Sequence, residues 1–373
     1  MHSRRFSLER SRRSAHVSAL VMAAILVFGA GSWAKGETYQ VTDLNQPNGN
    51  PLCLAINSSG QITGQFLHAF IYSNGTMTDI GTLGGVEFSI AYGINDLGQV
   101  VGGSANANVP FHAFLYSNGS MTDIGTLGGN SAVGRGINDV GQITGQSSIL
   151  GDAATHAFVY SNGTMTDLGT LGGSFASGNA INVSGQIAGY SFIAGDAAVH
   201  AFLYSNGAIT DLGTLGGRDS YGYGINSSDE IAGDSYLSGA GGVHAFLYRN
   251  GTMKDLGTLG GTNSNAHGIN DSGVVVGESY TSSSQTHAFI YANGVMTDLN
   301  DLIPSDPGVV LGQAFGINDA GQIIAQGYDA HGQNAAFLLT PEISTPEPSS
   351  ACVAILGLVA ASQLRRPRKL TAN

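Results

Sequence analysis

Along most of the chain, apolar and polar residues alternate in bursts of about five, too short for helices and separated by Gly, Asn and Asp. The run "HAFLY" at 112–116 leads through Ser-Asn-Gly to "SMTDIG" and "TLGG", and then through "VGRGIN" and Asp-Val-Gly to "QITGQ". This order recurs. The leading histidines His68, His112, His156, His200, His244 and His287 stand 44, 44, 44, 44 and 43 residues apart. "AAFLL" at 335–339 is a seventh, altered copy with Ala335 in the histidine position. Each period therefore predicts four strands: xAxGIN, GQIxGx, HAFLY and xMTDLG.

The joints carry their own signals. Asn-Gly links the last two segments at Asn74-Gly75, Asn118-Gly119 and four later sites. That pair suits a two-residue type I′ turn, in which both residues need φ > 0. "INDLGQV" at 94–100 fits a type I turn with Gly98 left-handed. Four short strands every 44 residues match one propeller blade. GIN-type and HAF-type segments each number seven. TDL-type segments number six after the first HAF, and a seventh, "YQVTDL" at 39–44, stands alone before it. The expected fold is thus an all-β, seven-bladed β-propeller of four-stranded blades over residues 35–340. Strand 39–44 would close the ring as the outer strand of the last blade, with xAxGIN innermost. A β-solenoid would stack from the same repeats, but would have no use for the orphan strand.

Composition agrees with a turn-rich β protein: 56 glycines, 42% hydrophobic and only 11% charged residues. Cys53 and Cys352 are too few for a disulfide framework. Both ends look like sorting signals. Five arginines within 1–16, an apolar run at 17–30 and the small-residue site Ser32-Trp33-Ala34 predict a signal peptide, residues 1–34. An uncleaved anchor is the alternative, and Ser7 disfavours the twin-arginine route. Between the ends, residues 35–340 hold five basic against 23 acidic residues, a net charge of −18. Such a body cannot neutralise a phosphate backbone, so no nucleic-acid partner is expected.

Two resemblances rest on quoted residues. Pro346-Glu347-Pro348, the apolar run 351–364 and the basic group Arg365, Arg366, Arg368 and Lys369 resemble a PEP-CTERM sorting tail, here residues 341–373. That resemblance implies an exosortase-type partner and transient membrane association through the tail during delivery to the cell surface. "HAFLYSNGxMTDLGTLGG" and "GINDxGQIxG" resemble the HAF family of extracellular repeats across residues 39–340. This implies an exported repeat protein with no assigned catalytic activity. Departures are Ala335, Asp229-Glu230 in one GQ position and Gly273-Val274 in the next.

Candidate chemistry is sparse. If Asn74-Gly75 is a two-residue turn, Phe70 faces Asp79 and His68 faces Gly81, so His68 and Asp79 are diagonal neighbours on one face. The same spacing couples His112 with Asp123, His156 with Asp167, His200 with Asp211, His244 with Asp255 and His287 with Asp298. These are expected to be structural pairs, too scattered for one metal shell. Asp96, Asp139, Asp271 and Asp319 of the "GIND" runs are expected to serve turns, since one Asp per turn is no calcium site. Nucleophile-elbow, zinc-protease, phosphate-loop and dinucleotide motifs are missing, so neither catalysis nor a metal or cofactor is expected. The segments 102–111, 146–155, 190–199, 234–243, 278–286 and 326–334 vary, and are expected to be loops sharing one face. Phe192, Tyr236 and Tyr280 fall at similar places in three of them and are the candidate binding residues. The expected function is non-catalytic binding at the cell surface or in the extracellular matrix, polysaccharide being the favoured ligand. A purely structural matrix protein and a polysaccharide-active enzyme are the alternatives.

Overall fold

The computed structural model describes residues 38–342, apart from 48, 85–87, 107–108, 240 and 305–307. The expected signal peptide, the expected sorting motif from Pro346 onward and Cys352 lie outside the described residues. Within them the protein is all-β, strands and turns with three one-turn 3-10 segments. The strands form antiparallel four-stranded units in chain order, each running from an xAxGIN strand to an xMTDLG strand. Residues 128–169 and 172–211 make two such units that merge into one eight-stranded sheet. A single parallel contact joins them, Thr155 opposite Phe175.

The last sheet draws on both ends of the described chain. Val310–Ile317, Ile323–Tyr328 and Asn334–Pro341 are joined by Tyr39–Asp43, which pairs antiparallel with Asn334–Pro341. Tyr39 and Leu44 are almost fully buried there.

Asparagine side chains just past the C-terminal ends of the innermost strands connect the units to one another. Asn57 donates from Nδ2 to the carbonyl of Asn95 (2.9 Å), and Asn95 to that of Asn138 (3.0 Å). The relay continues to Asn182 (2.9 Å), Asn226 (3.1 Å), Asn270 (3.1 Å) and Asn318 (3.2 Å). Asn318 donates back to Asn57 (2.9 Å), so the circuit returns to its start. The core lies between neighbouring sheets. Phe158 packs with Ile143 of its own sheet and with Val101 and Ala113 of the preceding one. Equivalent fully buried phenylalanines are Phe70, Phe114, Phe202, Phe246, Phe289 and Phe337. Burying each side chain contributes about 1.5–3 kcal/mol of hydrophobic free energy.

Two glycine positions are dictated by this packing. Asn74 and Gly75 have φ 49° and 79°, the conformation of a type I′ turn. The second glycine of GQIxG is a matter of space, because a Cβ on Gly145 would lie 1.9 Å from the Val133 carbonyl oxygen. A bulge between Gly134 and Gly136 presses the two strands together at this point.

The structure corrects several sequence expectations. Inner strands such as Gly128–Ile137 are ten residues long, because pairing continues through polar residues beyond the xAxGIN core. For the same reason the variable segments are largely strand. Ile187–Ile193 and Val199–Ser205 pair through Ser191–His200 and Phe192–Val199, leaving only 194–198 to turn. The expected register also slips at its end. Phe70 faces Asp79, but a bulge sets Ala69, not His68, opposite Gly81. Finally, the GIND aspartates do not serve their own turns. Asn138 does, its Oδ1 accepting from the Gln142 amide (2.9 Å), while Asp139 Oδ1 accepts from the Asp96 amide of the neighbouring sheet (2.9 Å).

Candidate functional site: a pocket inside the ring of innermost strands

Each His–Asp position brings two side chains together on one sheet. Nδ1 lies 2.9 Å from the carboxylate in His68–Asp79, 2.7 Å in His112–Asp123 and 2.9 Å in His156–Asp167. It is 2.8 Å in His200–Asp211, 2.9 Å in His244–Asp255 and 2.5 Å in His287–Asp298. The carboxylate is held on its other side as well, Asp123 Oδ1 accepting from the Gly125 amide (2.8 Å). Five pairs thus tie an outer strand to the glycine that opens its TLGG bend, and in the sixth Asp298 accepts from the Asn300 amide instead. Among the described residues, no three His, Cys, Asp or Glu side chains converge on a common metal position. Cys53 is a free, buried thiol whose pKa burial pushes up to about 12.

Phe192, Tyr236 and Tyr280 sit on strands rather than in loops. Phe192 packs against Phe175, with ring centroids 6.0 Å apart. Tyr236 and Tyr280 are 43% and 39% exposed, at the outer ends of their strands.

A more enclosed feature lies at the centre. Near the C-terminal ends of the innermost strands is a funnel walled by the asparagine circuit and the Ile-Asn-Asp residues. Further toward their N-terminal ends is a cavity of about 340 Å³. Its wall takes one residue from each xAxGIN strand: Leu54, Tyr92, Arg135, Asn179, Tyr223, His267 and Phe315. Tyr190 and Tyr221 complete it. These seven positions are one column of the repeat, two residues before Ile-Asn, and they hold six residue types. Alignment of the seven copies by their GIN runs would have exposed this column. The sequence reading attended instead to the more visible variation between strands.

The aromatic members form a continuous arc. Tyr190 meets Tyr221 edge-on at 5.1 Å, Tyr221 stacks with Tyr223 at 6.4 Å, and Tyr223 lies 6.0 Å from His267. His267 then stacks on Phe315 at 5.6 Å. On another side, the Arg135 guanidinium sits over the Tyr92 ring, 4.9 Å from its centroid. Burial favours the neutral imidazole and pulls the His267 pKa down, while Glu278 opposes it by favouring the protonated ring. Burial and then the charge of Asp219 raise Tyr221 to about 12. Burial and Asp234 raise Tyr223 further. Asp234 itself is only 6% exposed. Burial raises it to about 7, with Glu278 adding to the rise and the Tyr223 hydroxyl opposing it. Glu278 accepts from Asn265 Nδ2 at 2.9 Å, and its other oxygen is buried without a partner. No Ser, Cys or carboxylate side chain lines the cavity. The wall offers flat aromatic faces with phenolic tips and one guanidinium, a surface for stacking and anion contact.

No protein-family model and no curated protein matches the chain. Similar solved structures include TolB from Acinetobacter baumannii (TM-score 0.40, 12% identity), with 65% of this chain and 63% of that one covered. A putative TolB from Agrobacterium tumefaciens is similar at TM-score 0.40 and 11% identity, over 82% and 99% of the two chains. The β-propeller domain of the Trilobed protease from Pyrococcus furiosus is similar at TM-score 0.44 and 10% identity, over 72% and 86%.

Proposed function

We propose that the chain is a seven-bladed propeller acting outside the cytoplasm as a non-catalytic binding protein. Its ligand would be a saccharide unit of a surface or matrix polysaccharide, held in the central pocket. The observation that carries this reading is the column at 54, 92, 135, 179, 223, 267 and 315. Blades that otherwise repeat one another differ there, and there their side chains converge on one enclosed space. An arc of rings with polar edges suits a sugar, whose C–H face stacks on an aromatic face while its hydroxyls find the phenolic oxygens. Seven GIN strands, the closed asparagine circuit and the pairing of Tyr39–Asp43 with Asn334–Pro341 support the seven-bladed ring. The signal peptide at 1–34 and the tail with Pro346-Glu347-Pro348 support export and exosortase-type sorting to the surface.

A glycan array probed with the purified mature protein, alongside a Tyr221→Ala/Tyr223→Ala variant, tests the reading. Binding by the wild type, weakened at least about tenfold in the variant, is expected, since stacking on a tyrosine contributes about 1 kcal/mol or more per ring. Binding lost instead on changing Phe192, Tyr236 and Tyr280 to Ala would move the ligand to the strand ends. Turnover of any bound glycan would overturn the non-catalytic assignment.

A further inference from the structure

We propose that Arg135 is a carboxylate anchor, so that the central pocket selects an acidic sugar, a uronic acid at a glycan end, over a neutral one. This inference rests on the binding function proposed above and specifies its ligand.

The first argument is an accounting of positive charge. Four basic residues are described, and three are engaged by the protein's own acceptors. Arg218 Nε donates to the Ala197 carbonyl (3.0 Å), Arg249 is paired with Glu230, and Lys254 Nζ donates to the Tyr291 hydroxyl (2.7 Å). Arg135 differs. Its Nε is buried and has no hydrogen-bond partner, and its guanidinium is steadied only by the Tyr92 ring. Among the described residues the ion-paired arginines are Arg218, beside Asp219, and Arg249, beside Glu230, and Arg135 is in neither pair. A buried donor left unmet costs about 1–3 kcal/mol, so native structures usually satisfy it. That Nε is closed to solvent, so a ligand carboxylate would meet the part of the guanidinium fork that lines the cavity, whose planar geometry matches two carboxylate oxygens.

The second argument is polarity across the site. The other lining residues are uncharged, His267 included. The nearby carboxyls, Asp234 and Glu278, belong to the second and third four-stranded units after that of Arg135. An anion is therefore drawn toward Arg135 and kept from the far wall, which orients a sugar whose ring stacks on Tyr221 and Tyr223. The cavity is near the small end of ligand sites, about 300–1,000 Å³, so it fits a chain terminus rather than a long stretch. The net charge of −18 on the body also opposes an extended polyanion.

Calorimetry on the mature protein would compare a uronate-terminated oligosaccharide, its methyl ester and the neutral hexose analogue. The free acid is expected to bind at least about tenfold tighter than the ester, the range of a charge-assisted hydrogen-bonded pair. Arg135→Gln should bring the acid down to the affinity of the ester, and Arg135→Lys should retain part of the preference. Equal affinity for acid and ester in the wild type would overturn the proposal, and that arm stands even if Arg135→Gln does not fold. A preference surviving in Arg135→Gln would overturn it too. Neutral sugars binding as well as acidic ones would remove the anchor but leave the binding function. Failure of every saccharide would remove both. Arg135-dependent binding of a peptide C-terminus without any sugar would overturn the saccharide assignment.

Discussion

Three residues apart, one on the innermost strands and one just past their C-terminal ends, two columns of the repeat follow opposite rules. The asparagine column, Asn57 to Asn318, is invariant across seven copies; the column from Leu54 to Phe315 holds six residue types. The difference lies in what each side chain meets. Asn138 reaches the backbone of the next sheet, its own turn and the side chain of Gln142 (2.8 Å). Any other residue there would leave buried polar groups unmet on two sheets. Tyr92, Arg135 and their equivalents face a central space that no neighbouring repeat fills. Packing between copies constrains the first column and leaves the second available for recognition.

Departures within the constrained region sharpen the lesson, because they are compensated. Where Gln becomes Glu230, Asn226 Nδ2 still finds an oxygen (2.8 Å). Arg249, at a site that is serine in the four preceding repeats, neutralises the new carboxylate. The diversified column shows no such compensation at Arg135.

The comparison can be tested by stability, starting where the loss should be greatest. Deleting residues 39–44 uncovers the edge of Asn334–Pro341 and removes buried Tyr39 and Leu44. A fall in melting temperature of roughly 10 °C or more, with aggregation, is expected. Unchanged melting would show that the first strand is no part of the closure. Asn138→Ala, breaking three hydrogen bonds in the constrained column, should cost about 2–4 kcal/mol in denaturant unfolding. A cost below about 1 kcal/mol would mean that the circuit contributes little.

Asp234→Asn probes the wall behind the pocket. Folded Asp234 keeps its proton up to about pH 7, whereas unfolded chains release it near 3.8. The folded state therefore binds more protons between these values, and wild-type stability falls as pH rises through that window. His267 contributes with the opposite sign, but equally in both proteins. Asn can still accept from Tyr223, so the variant should gain about 1–3 kcal/mol over wild type at pH 8 and little at pH 4. A pH-independent difference would refute the raised carboxyl.

Smaller effects are expected at the rim and in the diversified column. A double-mutant cycle on His112→Ala and Asp123→Ala should give a coupling of about 0.5–1.5 kcal/mol, modest because the side chains are 20% and 45% exposed. Strict additivity would argue against the contact. Arg135→Gln should change stability by less than about 1 kcal/mol, since it loses the contact with the Tyr92 ring but no hydrogen bond within the protein. A loss above 2 kcal/mol would assign Arg135 to the framework rather than to recognition.

The local pattern was sufficient for everything that depends on neighbours in sequence. Period-2 alternation marks the strands, Asn-Gly marks the I′ turns, and an eleven-residue spacing through one such turn brings His112 to Asp123. The unpaired "YQVTDL" likewise points to the strand that pairs with Asn334–Pro341. Three features needed the tertiary structure. The bulge that sets Ala69, rather than His68, opposite Gly81 depends on how two strands press together, so the register there could not be counted out. The asparagine circuit joins carbonyls about 44 residues apart or, at its closure, at opposite ends of the fold. The pocket exists only because seven equivalent positions converge on one centre. Within a single repeat, Tyr92 or Arg135 is one polar-tipped residue on a short strand; only the convergence of the repeats turns that column into a wall.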